Sequence, residues 1–391
     1  MRKVLARTSM VAVALILLIC VVSSSDCSSQ FDPPNGSSTN PHNARVSGTY
    51  DTVRLELTAG TTSNTSTTFA GRTTFDGVGE WTGSMDNSLG NTGISNSGDY
   101  DLNLTNKVDM TYGTEGDLLG AFDQDEIFAA LYDANPSQDG NPSEDLIFML
   151  KEDDGIFGSR TISGTYYMAT LRTPFLRDQA VAEFGAVEFF SLDGTADIEI
   201  VDSTAPSADP QALDAEFTLS TQSGNALTLE IARAGDDVWQ GEANTDAGIA
   251  ILTDLDDQDG LADDQDVDIA LLVKPGDDFS LSKLFGSYTA IRMSVGTDGT
   301  NPQVMKGYLV FGLNGAVSGQ LKTADQSASK DLSGTVSLVD AGPSFTLQAD
   351  TGDVLLGAMN SDESVGVLSD LNGGTEEIGG EVDLIVLIKK A

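Results

Sequence analysis

Gly48-Thr49-Tyr50-Asp51-Thr52-Val53-Arg54-Leu55-Glu56-Leu57 is the stretch that decides the fold. Val53, Leu55 and Leu57 alternate with Thr52, Arg54 and Glu56, the period of two that sets one face of a strand against a core. Its opening triplet returns as Gly164-Thr165-Tyr166 and as Gly286-Ser287-Tyr288, first 116 and then 122 residues further on (48 to 164 to 286). A second landmark keeps the same order. Gly120-Ala121-Phe122-Asp123-Gln124-Asp125 is matched by Gly241-Glu242-Ala243-Asn244-Thr245-Asp246 and by Gly357-Ala358-Met359-Asn360-Ser361-Asp362. A third closes each copy with an acid and, six positions on, a lysine: Asp145 and Lys151, Asp268 and Lys274, Asp383 and Lys389. Three landmarks in one order mean three copies of one unit, at 46–154, 155–278 and 279–391.

Within a unit nearly everything reads as strand. Asp76-Gly77, Asp193-Gly194 and Asn314-Gly315 sit between apolar runs, and Asx-Gly is the strongest short hairpin signal because both turn residues take positive φ. The first unit divides into eight strands at Tyr50–Thr58, Thr67–Phe75, Gly79–Met85, Tyr100–Leu104, Lys107–Tyr112, Leu118–Phe122, Ile127–Asp133 and Asp145–Lys151. Connections this short pair neighbours in sequence as an antiparallel meander. The fold class is therefore all-β, three tandem units of about 115 residues, each closing as a small up-and-down β-barrel. The alternatives are a six-bladed propeller with two blades per unit and a sandwich per unit. The last strands are apolar on both faces: Leu384, Val386 and Ile388 on one, Ile385 and Leu387 on the other. One face belongs to the unit's own core, and the other is expected on a neighbouring unit. The flanking Asp and Lys share a face and are expected to cap the strand at its wet ends. Tyr50, Tyr166 and Tyr288 read as packing residues at strand starts, and Trp81 and Trp239 as core or rim packing.

The address lies at the N-terminus. Arg2, Lys3 and Arg7 precede an uncharged apolar run from Met10 to Val22, followed by Ser23, Ser24 and Ser25. This is the layout of a signal peptide, here residues 1–25. The run is shorter than the roughly 20 residues that a membrane-spanning helix needs. Residues 26–45, rich in Ser, Pro, Asn and Gly, read as a disordered tether that includes His42. Cys27 is the candidate lipid anchor, although Asp26 precedes it where a lipobox has a small residue. The expected location is extracytoplasmic: secreted, periplasmic or held at an outer surface by a lipid.

Composition limits the chemistry. Lys+Arg number 20 against 60 Asp+Glu, a net charge of −40 on 391 residues. Such a body repels phosphate backbones and anionic lipid, which argues against nucleic-acid and peripheral membrane partners. One His and two Cys leave little for His-based catalysis, zinc sites or disulfides. No Gly-x-Ser-x-Gly elbow and no phosphate-cradling loop before a helix is present.

The densest cluster of possible ligands is the loop from Asp254 to Asp266. Asp254, Asp256, Asp257, Asp259, Asp263 and Asp266, with Asp264 beside them, alternate around Gly260. Carboxylates so spaced can wrap a calcium ion, which takes 6–8 oxygens. Asp257, Asp259, Asp263 and Asp266 lie on the carboxylate spacing of the thrombospondin type 3 calcium repeat. The stretch resembles that repeat over about a dozen residues, with Leu255 where another Asp would stand. The resemblance implies calcium as the cofactor. An EF-hand is ruled out, because Gly260 as its sixth residue would put Leu255 first. The competing reading is a solvated acidic hairpin loop.

The expected function is a non-catalytic binding or structural surface protein, with a calcium-stabilised loop in the second unit. Its partner is another extracellular macromolecule or a small apolar ligand in the barrel mouths. A secreted hydrolase working through paired carboxylates is the alternative.

Overall fold

The computed structural model describes residues 40–390, apart from 60–63, 113–115, 135–142, 153–161, 175–179, 191–193, 204–210, 222–226, 234–237, 256–265, 297–298, 325, 340–342 and 371–380. Barrel one runs through β1 (Ser47–Ala59), β2 (Asn64–Asp76), β3 (Glu80–Asn87), β4 (Ile94–Leu102), β5 (Lys107–Tyr112), β6 (Gly116–Phe122), β7 (Phe128–Asp133) and β8 (Ser143–Lys151). Barrel two has β9 (Gly164–Pro174), β10 (Val181–Phe190), β11 (Thr195–Ser203), β12 (Gln211–Thr221), β13 (Leu227–Arg233), β14 (Val238–Asn244), β15 (Ile249–Asp254) and β16 (Asp266–Val273). Barrel three has β17 (Gly286–Gly296), β18 (Gln303–Phe311), β19 (Ala316–Thr323), β20 (Ser329–Leu338), β21 (Ser344–Ala349), β22 (Val354–Met359), β23 (Val365–Asp370) and β24 (Glu381–Lys389). Among the described residues the only helical element is a 3-10 turn, Asn43–Arg45.

Each set of eight is a meander that closes on itself, first strand against last. Tyr50 pairs with Lys151 across β1 and β8, and Tyr288 with Lys389 across β17 and β24. The propeller and sandwich alternatives are thereby excluded. At the Asx-Gly hairpins the glycines take positive φ, +76° at Gly77, +73° at Gly194 and +78° at Gly315, but Asp76 and Asn314 do not, which corrects the expectation that both turn residues would.

The second landmark has a steric cause. A Cβ on Gly120 would lie 2.2 Å from the Ala130 carbonyl oxygen, and one on Gly241 would lie 1.9 Å from that of Ile251. On Gly357 it would meet Leu368 Cδ2 at 2.5 Å. Strand six of each barrel is pressed so closely on strand seven that only glycine fits.

The two faces of each first and last strand have separate destinations. In barrel one, Tyr50, Ile147 and Met149 point into the barrel, among Phe75, Trp81, Tyr100 and Phe122. Val53, Leu55, Leu57, Leu146, Phe148 and Leu150 point outward, yet all are buried. They join Leu171, Ile251, Ile269 and Leu271 of barrel two and Ile291, Leu384 and Val386 of barrel three in a shared core. Each such side chain stabilises the assembly by about 1.5–3 kcal/mol.

The contacts run in a cycle. Strands β1, β2 and β8 lie on β14, β15 and β16. Strands β9, β10 and β16 lie on β22, β23 and β24. Strands β17 and β18 return to β7 and β8. Hydrogen bonds cross every seam: Thr68 Oγ1 to the Asp254 carbonyl (2.6 Å), Asn360 Nδ2 to the Ala247 carbonyl (3.2 Å), and the Val304 N–H to Glu144 Oε2 (3.1 Å).

The packed chain starts inside the segment read as a tether, a correction to its C-terminal boundary. Asn43 is buried; its Oδ1 accepts the Leu102 N–H (2.9 Å) and its Nδ2 donates to the Tyr100 carbonyl (3.2 Å). A buried amide satisfied on both sides holds the turn across the end of barrel one. Residues 26–39 of the tether, Cys27 among them, and the signal segment lie outside the described residues.

Candidate functional site

The interior of each barrel is where a small ligand or a reactive centre would sit, and it has two chemically different ends. One end is aromatic. Tyr50 meets Phe75 edge-on at 5.3 Å between centroids and Phe122 at 5.6 Å, and Phe75 meets Tyr100 at 4.9 Å. Barrel two repeats this with Tyr166 on Phe189 (5.4 Å) and Phe189 on Phe217 (5.1 Å). Barrel three does so with Tyr288 on Phe311 (5.3 Å). Such edge-to-face pairs fill space with favourable ring electrostatics. A buried aliphatic residue four positions before each tyrosine completes the plug: Val46, Ile162 and Leu284. The tyrosine hydroxyls are satisfied locally, Tyr50 donating to the Glu126 carbonyl (2.7 Å) and Tyr288 to that of Leu284 (3.2 Å). Burial pushes the Tyr166 hydroxyl up, to about 12. The closing lysines lie over the same rings, Lys151 5.9 Å from Tyr50 and Lys274 5.6 Å from Tyr166. Gly48, Gly164 and Gly286, all at positive φ, face the Cε atoms of Lys151, Lys274 and Lys389. The first and third landmarks are thus two sides of one closure.

The other end is charged, and here the sequence reading needs correcting. Asp145, Asp268 and Asp383 do not cap strands at wet ends; they are buried, 3%, 2% and 1% exposed. A position six residues from the lysine lies on the same, inward face, so the acid is carried inside the barrel. Each faces an arginine or a tryptophan. Arg54 Nη2 donates to Asp145 (2.9 Å) and to Glu56 (2.5 Å). Arg292 grips both oxygens of Asp383 (2.6 and 2.7 Å) and reaches Glu381 (2.8 Å) and Ser294 (3.1 Å). In barrel two, Arg172 pairs in register with Asp268 and lies 3.5 Å from Glu183, while Trp239 Nε1 donates to Asp268 (3.1 Å). Burial works against the Arg292 charge, but the Asp383 and Glu381 contacts outweigh it and hold that pKa above its usual value. Burial pushes the Asp145 carboxyl up, to about 7, with Arg54 drawing it back.

The arginines were missed from sequence, although a signal existed. Arg54 and Arg292 each stand four residues after the unit's tyrosine, on the same strand face. Unit two has Thr170 there and moves the arginine to 172.

The acidic loop is described only at its ends. Asp254 closes β15 and is buried, and Asp266 opens β16 opposite Pro174. Asp256, Asp257, Asp259, Asp263 and Asp264 lie outside the described residues. Among the described residues no three His, Cys, Asp or Glu side chains are placed to hold a metal ion. His42 sits half-buried at the start of the 3-10 turn, its backbone N–H bonded to Asn40 Oδ1 (3.0 Å).

No protein-family model matches the chain, and no curated protein matches it. Solved structures with some likeness include a double mutant of the vaccine antigen transferrin binding protein B from Haemophilus parasuis Hp5. It is 11% identical, with 88% of this chain and 76% of that chain covered and a TM-score of 0.31. Intact Ap-TbpB, with N and C lobes, is 10% identical over 88% of this chain and 78% of that one, TM-score 0.26. A protein of unknown function from Nostoc punctiforme is 10% identical over 58% and 95%, TM-score 0.19.

Proposed function

We propose that the chain is a non-catalytic extracytoplasmic protein that binds or scaffolds a macromolecule through the outer faces and loops of its barrels. The observation that carries this is the filling of the barrels by their own side chains, aromatic at one end and ion-paired at the other. That leaves the small-apolar-ligand reading without room at the plugged ends. The buried carboxylates of Asp145, Asp268 and Asp383 sit against arginine or tryptophan, which speaks against their use as a free acid/base pair. The basic start, apolar run and serine exit of the sequence support export.

Two measurements test this reading. Mass spectrometry of the exported chain is expected to find a new N-terminus after Ser23, Ser24 or Ser25, or a lipid on Cys27. A chain left intact in the cytoplasm would refute export. Incubation with ester, glycoside and peptide substrates is expected to release nothing. Hydrolysis lost in Asp145→Asn or Asp383→Asn would restore the enzyme reading.

We also propose that the loop between β15 and β16 takes calcium through Asp254, Asp256, Asp257, Asp259, Asp263 and Asp266. Relief of carboxylate repulsion is the driving force. Millimolar calcium is then expected to raise the melting temperature of the full chain, and less so in the Asp257→Asn, Asp259→Asn double variant. Equal shifts in both would refute it.

A further inference from the structure

The tyrosine-plugged ends of the three barrels lie on one side of the molecule. In each barrel the turn between the sixth and seventh strands is tied to the closing lysine beside that plug. The Lys151 N–H donates to the Ile127 carbonyl (2.7 Å), Lys274 to Gly248 (2.7 Å) and Lys389 to Ser364 (2.8 Å). These turns then meet across the seams. Gln124 Nε2 of the β6–β7 turn donates to the Lys390 carbonyl at the end of barrel three (3.2 Å). Asn360 of the β22–β23 turn donates to Ala247 of the β14–β15 turn.

That side carries most of the large apolar side chains left in solvent. Among the described residues eight are exposed, and five of them stand here. Val78 lies in the β2–β3 turn and Leu104, 73% exposed, in the β4–β5 turn. Phe190 ends β10, Phe285 precedes β17, and Leu313, 72% exposed, lies in the β18–β19 turn. Leu89, in the β3–β4 turn, is at the opposite end of barrel one. Singly exposed apolar residues need no explanation, but their concentration on one side does.

The chain enters the fold on the same side. Asn40 Nδ2 donates to Asp101 and to the Leu102 carbonyl (2.7 Å), and Asn43 Nδ2 to the Val78 carbonyl (3.3 Å). The segment that holds Cys27 therefore joins barrel one beside Val78 and Leu104. A flexible coil of the length of residues 28–39 spans about 20 Å, which keeps this side next to whatever holds Cys27.

We propose that the plugged side rests on a zwitterionic lipid surface to which Cys27 is anchored, with Val78, Leu104, Phe285 and Leu313 sunk into the headgroup layer. The tips stand on separate turns of two barrels instead of forming one continuous patch. A fluid surface takes up such tips one by one, whereas a protein interface is built round a packed apolar centre. The net charge of −40 opposes an anionic bilayer, and Asp76 and Asp278, exposed on this side, add to that.

The test places a tryptophan at Leu104, Leu313 or Leu89 of the lipid-bearing full chain, on phosphatidylcholine vesicles with brominated acyl chains. Trp81 and Trp239 are buried and give all three variants the same background. Tips that sink ~5–10 Å into the interface should make Leu104→Trp and Leu313→Trp quench about threefold more than Leu89→Trp. Equal quenching at the three positions, or none at Leu104 and Leu313, would overturn the proposal. The Cys27→Ser chain is expected to be a monomer in solution. A dimer that Leu104→Ser with Leu313→Ser dissolves would give this side to a second copy and overturn the lipid as its occupant. The proposal rests on the extracytoplasmic reading, and their failures differ. Export without lipid on Cys27 overturns only the proposal, whereas retention in the cytoplasm overturns both.

Discussion

Asp123→Asn is the perturbation that the triplication itself suggests. At the same turn, barrels two and three carry Asn244 and Asn360, whose Oδ1 atoms accept the N–H groups of Ala247 (3.0 Å) and Val365 (3.0 Å). Asp123 Oδ1 accepts those of Ile127 (2.8 Å) and Phe128 (3.1 Å) in the same way, and the residue is 1% exposed. Burial pushes its carboxyl up, to about 7; the two N–H donors draw it back, and Asp125 and Asp362 push it further. An unfolded aspartate titrates at about 3.9. Between about 4 and 7 the folded state therefore binds more protons than the unfolded one, so stability falls as pH rises through that window. Above 7 the penalty is complete. Three units at about 1.36 kcal/mol each set a ceiling of about 4 kcal/mol, and relaxation around the charge leaves roughly 2–4. Asn keeps the acceptor and cannot ionise. Calorimetry at fixed ionic strength should show the variant melting about 3–5 °C above the parent at pH 8 and within about 1 °C of it at pH 4. Equal shifts at both pH values, or a loss of stability at pH 8, would refute the reasoning.

Four further outcomes are expected. Gly241→Ala must displace the Ile251 carbonyl, 1.9 Å from the new Cβ, and should destabilise by about 2 kcal/mol or more in a thermal melt. Leu384→Ala opens the shared core and should cost about 2–5 kcal/mol; a cost below 1 would mean that the barrels do not pack there. Arg292→Met leaves the buried Asp383 with Lys330 alone, 3.9 Å away, and should cost about 3–5 kcal/mol, whereas Arg292→Met with Asp383→Leu should recover most of it, as a double-mutant cycle would reveal. Added NaCl should raise the melting temperature by screening the −40 charge, and a flat or falling profile rejects self-repulsion.

The sequence carried the strand count and the barrel closure because both are written locally. Alternation in Val53, Leu55 and Leu57 and the Asx-Gly hairpins act within a few residues, and triplication let each unit check the others. What it left open depends on long-range placement. Leu384 and Ile385 look alike in the chain, yet one enters the shared core and the other the interior of barrel three. Asp145 reads as one acid among 60 until Arg54, 91 residues away, comes to meet it. Val46 is a lone aliphatic at the edge of a polar segment, and only the closed barrel behind it makes it a plug.

The cyclic run of contacts from barrel three back to barrel one has an evolutionary consequence. Linear repeat arrays grow or shrink by whole repeats, because their end units need only a polar cap. In this chain no barrel is terminal, and each has its strand-one and strand-eight faces covered by a neighbour. A fourth copy would have to open a seam, and the loss of one would bare two apolar faces at once. Copy number is locked by geometry. Drift in sequence and loop length is instead directed to β3–β5, β11–β13 and β19–β21, which among the described residues contribute nothing to the shared core.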